Sequence, residues 1–509
     1  MKKQQLPTSA QGRHSVSRRD VLAGGGALAI VAGLPSFALS QNSAMPTQSA
    51  SQASSTGISG VTERLGAYMS EAASRPLPRE VAAHTKQHIL DTISAMISGV
   101  GLAPGRLALK FAAAMKNTGS CSIVGSRDLC GPLEAAIANG MLSHSDETDD
   151  SHAPSHTHPG CSIIPATLAS GEHFNISGEH FIRAVALGYD VGTRVTTTLG
   201  SLHFQIQTHH STHSIGGTFG STAAACCAAR LNAQQMQWAL DYAAQQASGI
   251  AAWQRDTEHI SKSLVFAGWP ARNGVMASLL VQLGATGVND IFAGPDNFLT
   301  AFAPQASPET LIDKLGQRFE VSRTNIKKWT VGSPIQAPLD ALQELMQSGR
   351  LHADDITRLV VRLGKSEAKT VNDREMPDIS LQHLLAVMLL DGTVTFAAAH
   401  DQDRMKDPAI ARQRAKITLT LDDELERLYP KRAAIVDLTL GNGKTISKRV
   451  EAVRGTADNP MTEEEVAAKA LDLIAPRLGK DRAVALISQI LRLESAPSVR
   501  ALRTHWQPS

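Results

Sequence analysis

Aromatic residues make up only 4% of this chain, and there are five cysteines in 509 residues. Those cysteines (Cys121, Cys130, Cys161, Cys226, Cys227) form no CxxC pattern, so neither a zinc ribbon nor a dense disulfide framework is expected. Cys226 and Cys227 lie in the run STAAACCAAR and read as small buried hydrophobes. There is no run of Lys and Arg, and the net charge is only +2, so nucleic acid is not expected as a partner. The apolar run from Val21 to Leu34 is interrupted by Gly24, Gly25 and Gly26 and ends at Pro35. It is too short for a comfortable membrane span.

What remains is an ordinary globular balance, 42% apolar and 19% charged, with length enough for two or three domains. Ser17-Arg18-Arg19-Asp20-Val21-Leu22 is a twin-arginine signature, and Ala38-Leu39-Ser40 is a plausible small-residue cleavage site. Residues 1–40 therefore read as a bacterial Tat export signal. Residues 41–60, rich in Gln, Ser, Thr and Ala, read as a disordered linker. The mature protein is expected in the periplasm, without stable membrane insertion once the signal is cleaved.

From 61 to 304 the chain reads as helix after helix. In KQHILDTISAMISGV the apolar residues Ile89, Leu90, Ile93 and Ile97 recur at helical spacing and stop at Gly99 and Gly101. No alternating strand pattern of comparable strength occurs in this half. Between 305 and 452 the character changes: LHADDITRLVVRLG and AKITLTLDDEL carry short β-branched runs. AAIVDLTLGNGKTISKRVEA reads as a hairpin about Gly-Asn-Gly. Helical periodicity returns over 453–509. The expected fold is mainly α: a large helical domain built from the first and last segments, with a smaller α+β lid inserted.

Chemistry concentrates in Asn139–Pro159, NGMLSHSDETDDSHAPSHTHP, with four histidines and four acids in one short run. Its end in His-Pro-Gly should stop any regular element. A solvated polar loop is the ordinary reading of such a stretch. Here a second histidine cluster (His203, His209, His210, His213 in LHFQIQTHHSTHSIGGTFG) favours an active-site loop, since imidazole and carboxylate suit proton transfer near neutral pH. Gly216, Gly217 and Gly220 would allow close backbone approach, and the helix starting nearby could offer N–H groups to an anion. A zinc or nickel site is the competing reading of the histidines, but neither a cysteine ligand nor an HExxH helix supports it. Further cationic sites stand at Lys262, at Arg272 in FAGWPARNG, and at Lys327-Lys328-Trp329; a polar patch includes Thr370. Three cationic sites beside two histidine clusters fit a small acidic molecule.

The chain resembles the MmgE/PrpD family, which includes 2-methylcitrate dehydratase, cis-aconitate decarboxylase and iminodisuccinate epimerase. The resemblance covers nearly everything after the linker. It rests on NGMLSHSDETDDSHAPSHTHPG, THSIGGTFGSTAAA, EHISKSLVFAGWPARNG, IKKWTVGSPIQAPLDAL, TVNDREMPD, LQHLLAVMLLDG and RGTADNPMTEEEVAAKA. It implies a helical domain with an α+β lid, a homodimer, and no metal or organic cofactor.

Residue by residue, Glu147, Asp149, Asp150, Ser151 and His152 stand in the family's acid-rich loop, and His158 matches its closing histidine. His210 matches the next active-site histidine, with His213 competing. Lys262 and Lys327 match the family's lysines. Two positions depart: Gly332 stands near where the decarboxylase has histidine, and Thr370 where tyrosine precedes Val-Asn. The resemblance implies a lyase that takes a proton α to a carboxylate and eliminates water from a small di- or tricarboxylic acid. An epimerase, or a binder without catalysis, would use the same residues. The roles expected are base or acid for His158, oriented by Asp149 or Asp150; proton transfer on the opposite face for His210; a catalytic part for His152; and substrate contacts for Glu147, Ser151, His213, Lys262, Arg272, Lys327 and Thr370.

Overall fold

The computed structural model describes residues 60–507, so the export signal read at 1–40 and all but the last residue of the linker read at 41–60 lie outside the described residues. The fold is mainly α. Long helices at Arg79–Gly99, Pro132–Ser143, Gly160–Phe174, Gly178–Leu199, Thr212–Ala228 and Trp269–Gln282 carry the first half. The expectation of a strand-free first half is modified by a two-residue antiparallel ladder, β1 (Cys121–Ser122) with β2 (Leu129–Cys130).

The glycines of the second histidine segment serve helix packing rather than a ligand. Helices Gly178–Leu199 and Thr212–Ala228 lie so close that a Cβ on Gly192 would stand 2.4 Å from the Gly216 oxygen. One on Gly220 would stand 2.7 Å from the Gly188 oxygen. No side chain fits between these backbones, and this contact fixes the helix that bears His213.

The second half holds one four-stranded sheet in the order β4-β3-β5-β6, formed by β3 (Ile356–Leu363), β4 (Ile417–Leu421), β5 (Ala434–Leu440) and β6 (Thr445–Val450). β3 and β4 run parallel, so their connection must cross over, and it does so through helices Lys365–Val371, Leu381–Asp391 and Pro408–Arg414. β5 and β6 form the expected hairpin, with Gly443 at φ 80° in the turn. Val361, Leu363, Val436 and Leu438 face a separate apolar cluster made by residues between 329 and 453.

Helices Glu463–Leu478 and Lys480–Leu491 return to the first half. Val466, Ile474, Leu486 and Trp506 share one core with Ile89, Ile93 and Met96 of helix Arg79–Gly99. The first of these returning helices is started by a capping box, in which Thr462 and Glu465 satisfy each other's backbone N–H groups.

Residues 260–282 form one continuous helix that is long and apolar enough by composition to cross a membrane, yet most of it is buried in the protein. It is interrupted by a π-helical turn, Leu264–Gly268. Pro270 explains the interruption: it has no N–H to give to the Phe266 carbonyl, so the turn widens. That turn aims Phe266 into the site.

Candidate active site

Helix Pro132–Ser143 ends and the polar run begins at His144, folding back on itself through a single 3₁₀ turn, Ala153–Ser155, before the next helix starts at Gly160. The loop carries far more charge than burial usually tolerates. Asp149 and Asp150 are wholly buried, and so is His144. Each must therefore find a partner inside the protein.

Asp149 takes two imidazoles. His144 Nδ1 donates to one carboxylate oxygen at 2.9 Å and His158 Nδ1 to the other at 3.2 Å. A carboxylate only accepts, so these ring nitrogens carry the protons, and each Nε2 is left as the basic nitrogen. Burial would raise the Asp149 carboxyl, but His144 and His158 hold it well below its usual range. For His158 burial wins over the pull of Asp149 and sets it below its ordinary 6.5, so it is a neutral base at pH 7.

Glu147 is bound by cations. Lys262 Nζ pairs with its carboxylate, and Lys327 Nζ lies 3.7 Å from it while donating to the Glu147 carbonyl at 2.6 Å. Burial is again outweighed: Lys262 and then Lys327 hold the Glu147 carboxyl well below its usual range. Around these groups stands a wall of rings. His213 stacks on Phe266 with ring centres 3.8 Å apart, and His144 stacks on the same residue at 4.6 Å. His213 is 5.3 Å from both His156 and His158, and His259 is 5.0 Å from His144. Burial, then His156 and His158, keep His213 well below 6.5 and therefore neutral.

A cavity of about 470 Å³ opens beside this cluster. Ser151, His152, His156, His158 and His213 line it together with residues from the sheet half. Ser151 pairs with Asn325 in a small backbone bridge that ties the loop to the connecting segment.

The structure gathers His158, Asp149, Glu147, Lys262, Lys327 and His213, and places several other expected residues elsewhere. His210 does not join them: its ring packs against Phe204 and Phe302, because the backbone turns over between His209 and Ser211. His213, one helical turn on, points into the group instead. Asp150 does not orient His158. It accepts from His88 at 2.7 Å, from Tyr189 at 2.5 Å and from the Gly160 N–H at 3.0 Å, and so anchors the loop's end to two helices. His152 lines the cavity, but both ring nitrogens are engaged, with Ser155 at 2.7 Å and Glu320 at 3.2 Å. Arg272 bonds its own neighbour Asn273, and Thr370 is exposed on helix Lys365–Val371, bonded only to Ser366. Both stand apart from the cluster among the described contacts.

Two further members have no role in the sequence reading. His144 is one of the loop's four histidines, at the end of a helix. His400 follows a distant helix, Phe396–Ala399, and places Nε2 2.8 Å from Asp146. Burial opposes its charge, yet Asp146 raises it to about 9. A raised imidazole stabilises the fold fully below 6.5 and loses that contribution as pH rises through about 9. The melting temperature of the native protein should therefore fall more between those values than that of His400→Gln. Parallel melting curves for the two proteins would remove the ion pair from the fold's pH dependence.

One trio has metal-ligand chemistry at close range: His144, Asp149 and Cys161 offer atoms within 4.8 Å of one another. Burial and then Asp149 keep the Cys161 thiol protonated, and it donates to the His158 carbonyl at 3.2 Å. His144 Nδ1 is already bonded to Asp149, and the cysteine is held as a thiol, whereas a metal is bound by the thiolate.

Comparison with known proteins gives the family. The model of the MmgE/PrpD N-terminal domain matches residues 63–311, and that of the MmgE/PrpD C-terminal domain matches residues 329–494. The chain is 25% identical over 482 residues to a cis-aconitate decarboxylase-like protein of Aspergillus oryzae, covering 88% of this chain and 97% of that protein. It is 22% identical over 485 residues to a cis-aconitate decarboxylase of Aspergillus terreus (88% and 96% covered). It is 25% identical over 449 residues to the human cis-aconitate decarboxylase (84% and 90% covered).

Proposed function

We propose, on the premise that the chain belongs to the MmgE/PrpD family, that it is a lyase of small carboxylic acids. In this reading it removes a proton α to a carboxylate and eliminates a β-hydroxyl as water. One observation carries the proposal: a neutral imidazole, His158, backed by a buried ionised carboxylate, Asp149, on the wall of a cavity. Relatives named as cis-aconitate decarboxylases support a lyase acting on a carboxylic acid. Loss of water is favoured over loss of carbon dioxide by the two departures already described. Gly332 offers no side chain where the decarboxylase resemblance places histidine, and Thr370 is exposed on its helix.

The chemistry runs as follows. An α-hydrogen beside a carboxylate is a very weak acid, so its removal needs a placed base and help for the developing charge. His158 Nε2 takes the proton while the C–H pair moves toward the β-carbon. The imidazolium that results is stabilised by Asp149, to which Nδ1–H already donates. As the C–O bond breaks, the same imidazolium returns its proton to the departing hydroxyl, which leaves as water, and the double bond is complete. His213, held neutral, donates a hydrogen bond to the substrate's oxygen atoms. The proposal keeps twin-arginine export, a periplasmic place of action and a homodimer, each resting on the sequence alone.

Proton NMR in D₂O with citrate, 2-methylcitrate, cis-aconitate and iminodisuccinate tests the reading. A new olefinic signal from a hydroxy acid is the expected result. Exchange of an α-proton without net conversion would replace elimination by epimerisation, and silence across the panel would remove catalysis on these acids.

A further inference from the structure

The sequence selects Lys262 and Lys327 as the cations for a substrate carboxylate, yet in the structure both are already satisfied. They close on Glu147, whose side chain is only 13% exposed, and neither forms part of the cavity wall. Separating them from Glu147 would strand buried charge, which costs more than a surface contact returns.

The cavity has its own cations. Arg323 comes from the connecting segment, and Lys431 and Arg432 from the loop between β4 and β5. They share the wall with Glu451 and Asp458, of which Glu451 accepts from Arg449 at 2.6 Å and Asp458 lies 3.7 Å from Lys431. The two arginines are held differently. Each is tethered from behind by a buried carboxylate through a single nitrogen, Arg323 Nη1 to Glu320 at 2.8 Å and Arg432 Nη1 to Glu367 at 3.0 Å. Glu320 and Glu367 are each 3% exposed, so they act as fixed anchors. The Arg432 guanidinium also lies 5.3 Å from the Tyr429 ring centre. A guanidinium has five donors, so one bond to its anchor leaves the fork free to take a carboxylate.

We infer that Arg323 and Arg432 form a carboxylate-binding subsite in the cavity that His158 and His213 also line. This subsite, rather than the Lys262–Lys327 pair, recognises the substrate's distal carboxylate. The inference rests on the carboxylic-acid lyase reading and narrows it. The substrate is an acid with at least two carboxylates, one beside the reacting carbon at His158 and another that meets the two arginines in the same cavity.

Isothermal titration of the full protein with citrate tests this. Arg323→Gln and Arg432→Lys should each weaken citrate binding about tenfold, since a bidentate charge-assisted pair is lost. Arg432→Lys keeps a cation for Glu367. Arg323, which is 43% exposed, can be changed without opening the core, so a folding failure at one position leaves the other to decide. Arg412→Gln, at an exposed arginine outside the cavity lining, should bind citrate within about twofold of the native protein. Unchanged citrate binding in both Arg323→Gln and Arg432→Lys would overturn the subsite and leave the lyase reading standing. Absence of binding by the native protein to citrate, cis-aconitate and 2-methylcitrate alike would remove the acid reading and the subsite with it.

Discussion

His158→Ala should lower kcat by ~10²–10⁴, the range general-base catalysis typically contributes. The expectation follows from geometry as much as from residue type. His158 is the imidazole that both lines the cavity and donates Nδ1–H to ionised Asp149, so its other nitrogen is basic and oriented. Its titration supplies an independent check. Burial, only partly opposed by Asp149, sets the group below 6.5, and the base must be unprotonated to act. The kcat/KM of the native enzyme should therefore stay level down to pH 6.5 and fall only below it. Asp149→Asn removes the charge that opposes burial, so its acid limb should move to still lower pH while the maximal rate drops. A native acid limb above 6.5, or an unchanged rate in His158→Ala, would move the base elsewhere.

Lys469→Met should destabilise the protein by about 3–5 kcal/mol, the cost of breaking a buried pair by removing one partner. Lys469 Nζ stands 2.6 Å from Asp91, both side chains are buried, and the same nitrogen donates to the Thr148 carbonyl at 3.0 Å. One ammonium thus ties the carboxyl-terminal helix Glu463–Leu478 to helix Arg79–Gly99 and to the acid loop. Burial raises the Asp91 carboxyl despite Lys469, so in the variant Asp91 can take up a proton, and the loss should shrink as pH falls. Lys469→Met/Asp91→Leu should recover most of the stability, because an apolar pair of similar volume needs no compensation. Chemical denaturation of the three proteins at pH 7 and pH 5 measures both effects. Equal stability of Lys469→Met and the native protein would show that the pair contributes nothing net.

Within the acid loop the sequence was a good guide to composition and a poorer guide to division of labour. Asp149 and Asp150 are neighbours of identical chemistry. Consecutive residues in an irregular loop point in different directions, so one meets His144 and His158 while the other meets His88 and Tyr189. His210 and His213 raise the same difficulty. Only Ser211 and Thr212 separate them, and whether each lies in the turn or in the following helix decides which ring reaches Phe266. Lys262 and Lys327 were found as cations, but nothing in their surroundings reveals that Glu147 satisfies both. Arg323 and Arg432 stand in segments of ordinary polar composition and gave no signal at all.

The sequence by itself determined the mainly α fold, the hairpin about Gly-Asn-Gly, the family, and the loop on which the proposed chemistry rests. Apolar periodicity, turn residues and contiguous motifs are local, and local patterns are written along the chain. Only the tertiary structure decided which imidazole faces His158, which carboxylate is a clasp, and which cations line the cavity. Those outcomes depend on elements as much as 321 residues apart meeting in a buried space, as Lys469 meets Thr148. There each charge takes the partner that burial forces on it, and residue type alone does not specify that partner.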